Sequence, residues 1–230
     1  MKKFVLGYAP TRRFVFSKED ALKFKNLICE KIESFGLDIE IVDLEGINSE
    51  GLLYDRSEEA AVIKRFKDAG VDAVFVPHCN FGTEDLVARV CKAIGKPVLL
   101  WGPRDEAPLE DGMRLRDTQC GLFATGKVLR RFKVKFTYIT NCSVDDLIFE
   151  RGFKNFVGAA NVVKQFNNLR ILQISTRPSD FWSVICNEGE LLETFGIQIH
   201  PITLDELKRM TLTIEKTDTE ELLESIEYIK

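Results

Sequence analysis

The chain has 230 residues, 45% of them hydrophobic and 30% charged, with 32 basic side chains against 36 acidic ones. That hydrophobic share is ample for a packed core and excludes a disordered chain. A formal net charge of −4 supplies no general pull toward nucleic acid or an anionic membrane. The length predicts one large domain, or one and a half at roughly 150 residues each, and no apolar run approaches the ~20 residues of a membrane span. Met1-Lys2-Lys3 imitates the start of an export signal, but the apolar stretch from Phe4 to Ala9 is too short and no cleavage site follows, so a cytoplasmic location is expected. Six cysteines stand apart without a C-x-x-C pair, which predicts reduced thiols, and with only two histidines a zinc site is not expected.

Short β-rich runs then alternate with helical patterns. Lys3 to Tyr8 reads as a buried strand, and Ser17 as the cap of a helix with an acidic first turn. Ala21, Phe24, Ile28, Ile32 and Phe35 recur at helical spacing up to Gly36. Asp38–Leu44 is a second strand and Ser57–Ala69 a second helix. Val71–Pro77, Val98–Trp101 and Val134–Thr140 are the next strands; Thr83–Ile94, Thr118–Phe132 and Asp145–Phe166 are the helices that follow them. A polar loop of about fifteen residues follows Trp101, long enough to suspect a task. This alternation predicts a parallel sheet covered on both faces, with a flavodoxin-like, doubly wound strand order. Asn167-Asn168 reads as a junction between a domain at 1–167 and the beginning of a second α/β domain at 168–230. There Leu169–Ile174 and Ile197–His200 are strands, Asn187–Phe195 a helix, and Thr203–Glu206 and Thr217–Glu220 capping boxes. Leu222, Leu223, Ile226 and Ile229 form an apolar stripe on a last helix. So few elements cannot cover both faces of a sheet, so the chain is expected to be the front piece of a longer protein or to pack its second unit on the first.

Ligands of an open parallel sheet bind outside the carboxyl ends of its strands. Those ends carry Pro10-Thr11-Arg12-Arg13, His78-Cys79-Asn80-Phe81-Gly82-Thr83, Trp101-Gly102-Pro103-Arg104-Asp105-Glu106, Asn141-Cys142-Ser143 and Ser175-Thr176-Arg177-Pro178, the last followed by Phe181 and Trp182. Arginine forks and amides bracket hydroxyl groups, and an indole face stacks on the C–H face of a sugar, so the rim suits a neutral polyol. No G-x-x-x-x-G-K-[ST], G-x-G-x-x-G or G-x-S-x-G run is present, which removes the usual nucleotide cradles and the nucleophile elbow. Blander readings stand beside these. His78 and His200, each beside a proline, read first as structural histidines, and Cys79 reads as an inert thiol. Trp101 also fits a core position, Arg12 and Arg13 also fit solvated charges, and the Arg104–Glu106 and Arg114–Asp117 runs fit surface ion pairs.

Taken in order, Gly7–Arg13, Pro77–Asp85 and the Trp101–Asp105 loop resemble the N-terminal domain of the L-fucose/L-arabinose isomerase superfamily, closer to its fucose-isomerase-like branch. Ile174–Pro178 through Phe195-Gly196, with Thr203–Leu207, resembles the opening of that family's middle domain. The resemblance implies a metal-dependent aldose–ketose isomerase, a homo-oligomer acting on a monosaccharide with Mn²⁺ or a similar divalent ion. It places the metal ligands and catalytic residues in later segments, so that none is expected in this chain and the chain alone is expected to be inactive. It implies substrate contacts at Arg12, Arg13, Cys79, Asn80, Trp101 and Arg104 from loops that close a neighbouring subunit's site, and at Arg177 from the middle domain. The family pattern has an aromatic residue near Cys79, a departure that leaves the specificity of this loop open. A free-standing sugar-binding or sensor module, and a small enzyme using Cys79 or Cys120 as nucleophile, are the alternatives.

Overall fold

In the computed structural model the chain divides into two compact units, Met1–Val162 and Val163–Lys230. The structure describes residues 3–217 and 219–229; Met1, Lys2, Asp218 and Lys230 lie outside the described residues, and with Asp218 so does the centre of the capping box expected at Thr217–Glu220.

The first unit runs β1 (Phe4–Tyr8), α1 (Lys18–Ser34), β2 (Ile39–Val42), α2 (Glu59–Asp68), β3 (Ala73–Pro77), α3 (Glu84–Ile94), β4 (Val98–Trp101), α4 (Thr118–Arg131), β5 (Phe136–Tyr138) and most of α5 (Leu147–Phe166), whose residues from Val163 on count with the second unit. The sheet order is β2-β1-β3-β4-β5, every pair parallel, which is the doubly wound arrangement the alternation predicts. Strand side chains alternate between faces, so each strand feeds two cores. Phe75, Leu99 and Trp101 join Phe24, Ile28 and Ile32 of α1 and Phe149, Phe153 and Phe156 of α5. Val74, Val76, Val98 and Leu100 join Val62 and Phe66 of α2, Leu86 and Val90 of α3, and Leu122 and Leu129 of α4.

The ends of the elements have local causes. Ser17 caps α1 by accepting from the Asp20 amide at 3.1 Å. The helix expected from Ser57 opens as a 3₁₀ turn, Arg56–Glu58, because the Asp55 carboxylate takes the Ser57 amide at 2.8 Å. β5 is shorter than its apolar run. The Val134 amide is held by the Leu129 carbonyl at 2.9 Å, closing the end of α4 before the strand begins.

The second unit comprises β6 (Arg170–Ile174), α6 (Glu188–Phe195), β7 (Gln198–Ile202), α7 (Leu204–Thr217) and α8 (Thr219–Ile229). β6 and β7 pair in parallel from Arg170↔Gln198 to Ile174↔Ile202. β7 runs through Pro201, which a two-stranded sheet tolerates because each strand is an edge. Asn187 caps α6, and Thr203 and Glu206 bond reciprocally: the Glu206 amide donates to Thr203 Oγ1 at 3.1 Å and the Thr203 amide to Glu206 Oε2 at 2.8 Å. No described helix is long and apolar enough to cross a membrane.

Candidate functional site

The strand order reverses between β1 and β3, and their carboxyl ends open the crevice where such sheets take ligands. Thr11 stitches it together. Its amide donates to the Pro77 carbonyl at 2.9 Å, and its hydroxyl donates to the Leu53 carbonyl at 2.7 Å while accepting from the Thr83 amide at 3.0 Å. Thr83 Oγ1 then donates to the Arg12 carbonyl at 2.7 Å.

Asn80 is fully buried, and both ends of its amide serve the backbone. Oδ1 accepts from the Arg13 and Phe81 amides at 2.8 and 2.5 Å, and Nδ2 donates to the Arg13 and Ser17 carbonyls at 3.3 and 3.2 Å. It ties the β1–α1 loop to the β3–α3 loop. Gly82 sits at φ +83°, and a β-carbon there would lie 2.6 Å from the His78 ring, so the turn needs glycine. His78 is buried with Nε2 2.9 Å from Thr125 Oγ1. Burial pushes its pKa down to about 3, which keeps the ring neutral at physiological pH.

The arginines part company here. Arg12 is buried in a two-pronged pair with Glu50, Nε to Oε2 at 2.6 Å and Nη2 to Oε1 at 3.0 Å, and its guanidinium lies 3.9 Å above the Tyr54 ring. Lys18 reaches the same carboxylate at 3.0 Å. Burial pushes the Glu50 carboxyl up, but the hydrogen bonds from Arg12 and Lys18 outweigh it and hold the group below its usual range. Arg13 is half-buried: Nε donates to the Gly82 carbonyl at 3.1 Å, Nη2 meets Glu84 at 3.4 Å, and the guanidinium lies 4.3 Å over Phe81.

Trp101 is wholly buried, stacked on Phe149 with ring centroids 3.9 Å apart. Period-two alternation puts it on the same face as Leu99, so its indole is committed to the core. Cys79 is buried as well, and burial pushes its thiol up to about 12, so it offers neither a surface nor a thiolate near neutral pH. Arg12, Cys79, Asn80 and Trp101 therefore shape the rim from within. Of the unit's arginines in the expected set, Arg104 is exposed and Arg13 half-buried.

A model of the fucose/sulfoquinovose isomerase N-terminal domain matches residues 7–167. The chain belongs to that family. Its sequence is 24% identical over 161 residues to the sulfoquinovose isomerase of Priestia aryabhattai, covering 70% of this chain and 35% of that protein. The sulfoquinovose isomerase of Clostridium sp. (strain MSTE9) is 23% identical over 136 residues, covering 58% of this chain and 30% of that protein. The chain spans about a third of the length of these curated relatives. Among solved structures, an azoreductase from Bacillus anthracis str. Sterne superposes with a TM-score of 0.33 at 10% identity, covering 69% of this chain and 99% of that one.

In this family member the long loop after β4 is anchored by a residue that reads as surface decoration in the sequence. Arg116 is buried: Nη2 donates to the Arg104 carbonyl at 2.6 Å, Nε pairs with Glu106 at 2.9 Å, and the guanidinium lies 3.6 Å above Phe24. Asp105 accepts from the Thr118 amide at 2.9 and 3.0 Å and so caps α4 from the loop. Gly121 lets α4 approach the Phe81 turn, since a β-carbon there would fall 1.8 Å from the Phe81 carbonyl oxygen. Glu50, the partner of Arg12, carries no motif signal at all.

In the second unit, the carboxyl end of β6 opens onto a cleft of about 670 Å³ lined by Ser175, Thr176, Arg177, Ser179, Cys186 and Glu188, among others. Arg177 is exposed and folds over its own turn, Nη1 donating to the Pro178 and Ser179 carbonyls at 2.9 and 3.0 Å. Among the described residues no group of three or more His, Cys, Asp or Glu side chains comes together to hold a metal ion.

Proposed function

We propose that this chain supplies the substrate-enclosing walls and oligomer contacts of a metal-dependent aldose–ketose isomerase acting on a fucose- or sulfoquinovose-like sugar, with metal and catalytic residues in other segments. The match of residues 7–167 to the family's N-terminal domain carries the reading. The rim's own chemistry supports it. Moving a proton between C1 and C2 needs a base within hydrogen-bond reach of the C2 hydrogen, and the rim carboxylates are engaged elsewhere. Glu50 is held by Arg12 and Lys18, Glu84 pairs with Arg13, Asp105 caps α4, and Glu106 pairs with Arg116. The described donor set does not fit a divalent ion, so no step of the reaction is routed through one here. Arg104 is exposed, and Arg13 and Arg177, each holding part of its guanidinium on neighbouring groups, keep further N–H donors to meet sugar hydroxyls or an anionic substituent.

The test compares two polypeptides, each given Mn²⁺ and a panel of L-fucose, L-arabinose and sulfoquinovose. The 230-residue chain alone produces no ketose. The same chain joined to its downstream segment does so, and Arg13→Ala in that longer protein lowers kcat/KM. Turnover by the short chain, or none by the long one, refutes the proposal.

A further inference from the structure

β5 ends the sheet, and the surface it shares with α4 differs from the rest of the first unit in two respects. Four aromatic rings of that unit are exposed, and three of them, Phe123, Phe132 and Tyr138, lie on α4, at its end or on β5. The run from Thr118 to Val144 holds no Asp or Glu, yet it carries Lys127, Arg130, Arg131, Lys133 and Lys135. Among the described residues none of these five cations makes an ion pair or a side-chain hydrogen bond.

The same side chains line a cavity. Phe123, Lys127 and Arg130 stand at i, i+4 and i+7 on one face of α4, and Phe136 and Tyr138 alternate onto one face of β5. They enclose about 670 Å³, within the roughly 300–1,000 Å³ of small-molecule sites. Arg130, Phe136 and Tyr138 also line an adjoining hollow of about 550 Å³, together with Lys133 and Lys135. Two backbone features shape the place. A β-carbon on Gly126 would lie 3.3 Å from the Phe136 ring, so glycine lets β5 close on the helix. Lys133 sits at φ +57°, in the position after a helix that usually goes to glycine. Its amide donates to the Arg130 carbonyl at 3.0 Å, and the Val134 amide to the Leu129 carbonyl at 2.9 Å. An anion at this end of α4 therefore meets cationic side chains rather than a full set of bare carbonyl oxygens.

Lysines guard edge strands, and cations suit a helix C-terminus. Neither role accounts for aromatic rings left open in the same hollow. The lining offers cationic donors and no carboxylate or amide side chain to accept from hydroxyls, so it does not suit a neutral sugar. Charge complementarity instead selects an anionic head for the Arg130 fork and an apolar body for the rings. We propose that the α4–β5 hollow binds an organic anion with an apolar body, a carboxylate or sulfonate whose head meets Arg130 and Lys133 and whose body lies on Phe123, Phe136 and Tyr138. The proposal does not depend on the sugar-isomerase reading.

The experiment titrates a naphthalenesulfonate into the isotope-labelled 230-residue chain and follows the backbone amide shifts by NMR, with naphthalenemethanol as the uncharged control. Saturable shifts confined to α4 and β5 are expected, with a dissociation constant of about 0.1–1 mM for a ligand of about a dozen non-hydrogen atoms. The uncharged control and the Arg130→Glu variant should each bind about tenfold more weakly, the size of one charge-assisted contact. Lys133→Gly should weaken binding by up to about fivefold while raising Tm, because glycine takes the left-handed φ without strain. That variant keeps the test decisive even where Arg130→Glu fails to fold. Absence of shifts up to the solubility limit, equal binding of the uncharged control, or unchanged affinity in the folded variants overturns the proposal. Shifts spread over both units, the mark of general adhesion to apolar surface, overturn it as well. Displacement of the sulfonate by lower concentrations of an acidic peptide with the sequence Thr219–Ile229 gives the hollow to a protein segment and overturns the small-anion assignment.

Discussion

Arg12 and Glu50 offer the sharpest test of how the crevice is held. Their side chains are 8% and 6% exposed, so the pair lies outside the surface regime worth about 0–1 kcal/mol. Arg12→Leu leaves the Glu50 carboxylate buried without its two-pronged partner, a change that costs about 3–5 kcal/mol in comparable sites. Lys18 still reaches Glu50 at 3.0 Å from a half-exposed position, which pulls the figure toward the lower end. Loss of the guanidinium–Tyr54 stack adds about 0.5–1 kcal/mol. The expected cost is about 3–4 kcal/mol, or roughly 10 °C in Tm for a unit of this size. Two units need not unfold together, so the assay is urea unfolding in a Trp182→Phe background, where Trp101 is the sole tryptophan and reports the first unit's core. The acid limb adds a sign. Glu50 is held below its ordinary 4.5 in the folded chain, so the unfolded chain takes up the proton first as pH falls. This contribution is therefore complete above about 4.5 and drains away as pH drops through the lower folded value. Arg12→Leu should flatten that loss. A cost under about 1 kcal/mol, with the acid limb unchanged, would show that the pair does not hold the crevice. The double variant Arg12→Leu/Glu50→Leu should recover most of the loss, because an apolar pair leaves no stranded charge.

Other regions give independent checks. His78 should show no imidazole titration by NMR between pH 5 and 8 in the folded chain. Its depressed pKa of about 3 means the unfolded state protonates first, so stability falls as pH drops from about 6.5, by at most about 1.4 kcal/mol per pH unit; a His78→Gln variant should lack that slope. Gly121→Ala forces a β-carbon onto the Phe81 carbonyl and should cost about 3 kcal/mol by urea unfolding. Gly158→Ala on α5, with nothing within 4 Å, should instead gain about 0.5–1 kcal/mol. In native buffer near pH 8, a thiol reagent should label Cys120 and Cys186 rapidly, both exposed, and leave Cys79 and Cys91 unmodified until unfolding, because burial pushes each of those up to about 12. Rapid labelling of Cys79 would revive it as a nucleophile.

The strands, the helices and the sheet order were legible because their signals are local and periodic. Ala21, Phe24, Ile28 and Ile32 at helical spacing, and fully apolar strands such as Ala73–Pro77, each announce burial on their own. The strand-end loops were legible for a topological reason, since an open parallel sheet takes ligands at the carboxyl ends of its strands; that β1 and β3 flank the reversal is seen in the structure. The fate of individual charges was not legible. Arg12 is neutralised by a carboxylate 38 positions away, and Arg116 by a loop that folds back over Phe24. Nothing within either motif separates such a residue from a solvated one, because the difference lies in the partner's position in space.

The two tryptophans show where that boundary runs. Trp101 ends a strand, and the alternation Val98-Leu99-Leu100-Trp101 already places it with Leu99 on a face that α5 covers. Read as a strand residue it is core; read as a rim residue it looks like a ligand platform, and the periodic constraint is the stronger of the two. Trp182 lies in a turn where no period applies, so no local spacing announces that it is exposed with its Nε1 donating to the Ser179 carbonyl. The same reasoning sorts the arginines. Arg12 and Arg116 are buried against ion-pair partners within the fold, whereas Arg13 is half-buried and Arg104 and Arg177 are exposed.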